Sequence, residues 1–62
     1  MEVHFVIERS TSGALLYKEV NQLGRPIDSP RDGMIGSLYI RKTSEVGKQA
    51  PKKIVVTISA EE

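Results

Sequence analysis

Four short segments of this chain alternate apolar and polar residues with a period of two, and that pattern restricts it to β structure. In the first, VHFVIE, Val3, Phe5 and Ile7 alternate with His4, Val6 and Glu8. Its β-branched and aromatic side chains suit a pleated, half-buried surface. Small polar residues and Gly13 follow at 10–13 and read as a hairpin loop, with Gly13 free to take a positive φ. Residues 14–20 are therefore expected to return antiparallel to the first strand. A third strand is expected over 34–42, MIGSLYIRK, with Met34, Leu38 and Ile40 on one face and Ile35, Ser37, Tyr39 and Arg41 on the other. Gly36 within it signals a bulge or a close backbone approach. The fourth, KIVVTIS at 53–59, sends Ile54, Val56 and Ile58 one way and Val55, Thr57 and Ser59 the other.

The connections are equally readable. Gly24, Pro26, Pro30 and Gly33 punctuate 21–33, so that stretch is expected to be a long loop pinned by Leu23 and Ile27. Loops of such length are uncommon in compact domains and are often functional. Residues 43–47 are expected to form one helical turn, capped by Thr43 or Ser44 and ended by Gly47. The remaining link to the last strand is short for a parallel crossover, which favours direct antiparallel pairing of strands three and four. The expected fold is all-β: a single domain over 1–62 with a four-stranded, mainly antiparallel sheet or partial barrel and a tail frayed from about residue 60.

A chain of 62 residues buries only about 60% of the surface its unfolded form exposes, so its stability margin is thin. Disulfides, a structural metal or oligomerisation usually widen it. Cysteine is absent, which removes disulfides and thiolate zinc sites and fits a reducing, cytoplasmic setting. The single His4 cannot hold a metal alone, and no cofactor or metal is expected. Residues 1–7 do not resemble a signal peptide. No run approaches the roughly 18 apolar residues of a membrane span. Oligomerisation remains, and a homodimer is the expected state.

Val3, Phe5, Ile7, Leu38, Ile40, Ile54, Val56 and Ile58, with Leu15 or Leu16, make an adequate core on one face. The opposite face should then be polar in a solvated monomer. Instead it carries Val6, Ile35, Tyr39 and Val55, with Tyr17 joining them if Leu16 points inward. These five residues are the expected oligomer interface, where tyrosine offers an apolar body with a polar tip.

From residue 34 onward the strands IGSLYIRK and PKKIVVTI resemble a group of short uncharacterised bacterial proteins. Those carry a G-T-L-Y-I-R-K strand followed by a K-K-I-x-V-T-I strand, and Tyr17 with Glu19 extends the likeness. The resemblance implies β structure and a bacterial source; it brings no activity with it.

Catalysis is not expected. Glu8 lies on the same face as His4 but about 13 Å along the strand, which is no dyad. Residues 33–36, GMIG, lack the glycine spacing and following helix of a nucleotide fingerprint. The scattered serines are explained by turns and strand surfaces. The expected function is therefore a small oligomeric interaction module, self-associating through its second sheet face and open to a protein partner. The alternative is nucleic-acid binding. Arg41, Lys42, Lys48, Lys52 and Lys53 stand against Glu45 alone and would cluster beside Tyr39 at one sheet end. Lys52 and Lys53 at a strand entrance also suit protection of a sheet edge against aggregation.

Overall fold

In the computed structural model, residues 1–27 and 33–61 are described; the expected loop at 21–33 therefore lies partly outside the described residues. The strands are β1 (Glu2–Ser10), β2 (Ala14–Val20), β3 (Ser37–Arg41) and β4 (Lys53–Thr57), with one short helix, α1 (Glu45–Gln49). They form one antiparallel sheet, curled into a half-barrel, in the order β3-β2-β1-β4. No helix among the described residues is long and apolar enough to cross a membrane.

The sheet order corrects the expected pairing of strands three and four. β4 pairs with β1, setting Val3 against Val56 and Phe5 against Ile54. β3 pairs with β2 at the opposite edge, setting Tyr17 against Leu38. A link too short for a parallel crossover does not require β3 and β4 to be neighbours. An antiparallel exit and entry at the same sheet end need cross only three interstrand steps, about 14 Å. The eleven residues from 42 to 52 span that distance easily.

Backbone hydrogen bonds anchor the crossing at both ends, from the Lys42 N–H to the Gly13 carbonyl and from the Ile7 N–H to the Lys52 carbonyl, and two side chains add to them. Ser44 caps α1, its hydroxyl accepting from the Gly47 N–H at 3.0 Å, and the fully buried Tyr17 donates its hydroxyl to the Pro51 carbonyl at 2.7 Å. Gly47 does not end the helix as expected. It lies inside α1, so close to the Arg41 backbone that a Cβ there would overlap the Arg41 carbonyl oxygen. Ala50 ends the helix instead, in the left-handed region at φ 49°.

Val3, Phe5, Leu15 and Tyr17 form the buried core, with Ile7, Leu38, Ile40, Ile54, Val56 and Ile58 packed half-buried around it. Leu15 is thus the inward leucine. Tyr17, expected on the outer face, is fully buried among the core residues, because alternation in β2 gives it the same side as Leu15.

The hairpin between β1 and β2 closes through Thr11, whose N–H and hydroxyl both donate to the Ala14 carbonyl. Among the described residues Gly24 and Gly36 take a positive φ, and Gly13 does not. Leu23 does not pin the 21–33 connection, for it is 80% exposed. Polar contacts fix residues 21–26 instead. The Asn21 side-chain oxygen accepts from the Leu23 and Arg25 N–H groups, and a bridge joins Val20 to Pro26.

Candidate functional site

The sheet has one apolar inner face, and its outer face can be assembled from the strand registers. Residues opposed across an antiparallel pair share a face. From the hairpin end, one outer row runs Tyr39–Leu16–Arg9 and the next runs Ser37–Lys18–Val6–Lys53. Farther along, Val20, His4 and Val55 form a third row. Arg41 precedes the first row, opposite Ala14.

Arg9 reaches this face through an irregularity. Strict alternation would send it inward after Val3, Phe5 and Ile7. The register shifts between Ile7 and Arg9, however, so Arg9 faces Leu16. A bulge leaves its extra residue unpaired and re-aims the side chains beyond it; here it keeps a guanidinium out of the core.

The outer face is consequently both apolar and cationic. Tyr39 is 59% and Val55 53% exposed, on opposite edges of the sheet. Val6 is half-buried between them, while Leu16 and Val20 are buried. Arg9, Lys18, Arg41 and Lys53 supply four cations; Glu2 and Glu8 are the carboxylates on this side. A depression of about 440 Å³ at the hairpin end is lined by Thr11, Gly13, Ala14, Tyr39 and Arg41. A smaller one, about 140 Å³, lies between His4, Val6, Lys53 and the turn at 21–24.

The sequence-derived sites are only partly brought together. Of the expected interface, Val6, Tyr39 and Val55 share the outer face, Tyr17 is in the core, and Ile35 lies before β3, 38% exposed. The five expected basic contacts share one end of the sheet but are spread across its width. Arg41 leaves β3 at one edge and Lys53 enters β4 at the other. Lys42, Lys48 and Lys52 are strung along the crossing between them, Lys48 in the last turn of α1, where a cation suits the helix dipole.

Glu19 is the residue that sequence reasoning passed over. It is 6% exposed on the inner face, opposite Phe5. Its carboxylate accepts from three successive backbone amides: Met34 (2.9 Å to each oxygen), Ile35 (2.8 Å) and Gly36 (2.8 Å). Gly36 sits at φ 92°, which helps the three N–H groups converge. Burial pushes the Glu19 carboxyl up, but the amides of Gly36, Met34 and Ile35 together draw it down further, to below its ordinary value. The signal was available: Leu15, Tyr17 and Glu19 alternate, and an inward carboxylate must find donors.

Among the described residues no group of three metal-ligating side chains forms. His4 has Val20 and Val55 as its register neighbours, which offer it neither a base nor a nucleophile. Comparison with protein-family models, curated proteins and solved structures finds no match to this chain.

Proposed function

We propose that this chain is a small non-catalytic interaction module that self-associates as a homodimer. The unpaired edge of β4 carries the reading, because a free strand edge presents a row of unsatisfied backbone donors and acceptors that a second strand can pair with.

The free edge of β4 suits the contact best. β4 is the terminal strand of the sheet, with Val55 exposed at its centre and Ile54, Val56 and Ile58 half-buried alongside. A two-fold axis through Val55 would set Lys53 against the partner's Thr57 and Ile54 against the partner's Val56. No like charges then face each other. Packing the outer face against its own copy would instead oppose cation to cation, so the edge replaces the face as the proposed surface.

Light scattering over a concentration series tests this. A mass near twice 6.9 kDa at high micromolar concentration is expected, and Val55→Glu should return it to the monomer with the β circular-dichroism spectrum retained. A 6.9 kDa species throughout would overturn the proposal.

A further inference from the structure

The outer face bears a second kind of site, one that association through the β4 edge leaves open. Tyr39 and Arg41 project from the same side of β3, two residues and so about 7 Å apart. They share a shallow, solvent-open depression with Thr11, Gly13 and Ala14. The Tyr39 ring is 59% exposed. An aromatic ring beside a guanidinium offers one surface for stacking and one charge for an anion.

The cations continue across the sheet from there. Arg9 lies in the Tyr39–Leu16 row, and Lys18 and Lys53 lie in the next. They form a track from the β3 edge towards β4, over a surface whose apolar members are Leu16 and Val6. A track of separated cations fits a flexible polyanion rather than one compact charge. Glu8 stands beside Arg9 at the bulge and Glu2 at the far end of β1, so four cations are set against two carboxylates on this face.

We propose that this face binds single-stranded nucleic acid, with a base stacked on Tyr39 in the hairpin-end depression and backbone phosphates on Arg41, Arg9 and Lys18. Stacking on a flat side chain needs an unpaired base, which a duplex does not present. The face is also the outside of a curled sheet and projects no helix into a groove. The crossing lysines, Lys42, Lys48 and Lys52, lie off this track.

Fluorescence anisotropy with a labelled 12-nucleotide oligothymidine, its RNA counterpart and a 12-base-pair duplex, in about 50 mM salt, provides the test. Either single strand, or both, should bind more tightly than the duplex. Affinity should fall with salt by about 0.7 log units per log unit for each phosphate contact. Tyr39→Ala should weaken binding about tenfold or more, and Lys18→Ala should reduce the salt slope by about 0.7. Lys48→Glu should leave affinity within about twofold, since one off-track charge acts only through screened long-range attraction. All three side chains are at the surface, and circular dichroism checks that each variant is folded. No binding in about 50 mM salt, equal binding of the duplex, or loss through Lys48→Glu with Tyr39→Ala unaffected would overturn the assignment.

Discussion

Removing the Glu19 carboxylate should release the segment that leads into β3. Glu19→Ala would strip acceptors from three successive amides and leave Tyr17 and Phe5 beside a cavity. Hydrogen bonds to a charged group contribute about 1.5–3 kcal/mol each. Met34 and Ile35 are exposed residues, so their freed N–H groups can partly rehydrate, and a total of about 2–4 kcal/mol is the reasonable sum. A chain of this length has about 3–9 kcal/mol of stability in all, so Glu19→Ala approaches the limit of folding. Glu19→Gln keeps one oxygen for Ile35 and Gly36 but turns an NH₂ towards Met34, at a cost of about 1–2 kcal/mol. The pH dependence has a definite sign. Because folding lowers the Glu19 pKa, its stabilisation is fully present above the ordinary carboxylate value and is lost as pH falls through the lower folded value. Urea titrations from pH 7 down to pH 2, with hydrogen exchange at the Met34, Ile35 and Gly36 amides, measure both effects. The wild type should lose stability below about pH 4.5, and Glu19→Gln should flatten that limb. A Glu19→Gln midpoint within experimental error of wild type, with the three amides still protected, would refute the reasoning.

Three further substitutions test the crossing. Tyr17→Phe removes the 2.7 Å bond to the Pro51 carbonyl without changing the core volume, so chemical denaturation should show a loss of about 1–2 kcal/mol. Gly47→Ala should destabilise by about 1–3 kcal/mol despite alanine's better helix propensity, because its methyl meets Arg41 and Lys42 backbone atoms; the thermal midpoint should fall. Ala50→Gly should raise that midpoint, because relief of a left-handed alanine, about 1–2 kcal/mol, outweighs the extra freedom of glycine in the unfolded chain, about 0.4–1 kcal/mol.

Side-chain periodicity is local information, and the local features were legible. Alternation located four strands and separated Val3, Phe5, Ile7, Leu38 and Ile40 from Tyr39 and Val55. The helix cap was narrowed to Thr43 or Ser44, two adjacent hydroxyl residues before Glu45. What alternation cannot contain is which strands are neighbours, because β1 offers an equally apolar edge to β3 or β4. That ambiguity bears on the basic residues: they share one sheet end, but along a crossing between its two edges and not around a single turn. The β2 phase was undetermined for a related reason: Leu15 and Leu16 are adjacent and equally apolar, so either could have faced inward. Glu19 breaks the tie in hindsight, since its inward position requires the amides of 34–36, far away in sequence. Arg9 was obscured by the bulge, though an arginine in phase with Phe5 and Ile7 was itself a sign that the register must shift.

Both binding proposals rest on the sheet order β3-β2-β1-β4, and cross-strand nuclear Overhauser effects test it most directly. With isotope-labelled protein, contacts are expected between Val3 and Val56 and between Phe5 and Ile54, across β1 and β4, and between Tyr17 and Leu38, across β2 and β3. Backbone contacts within one chain that instead place β3 beside β4, with Tyr39 neighbouring Val55, would contradict the account.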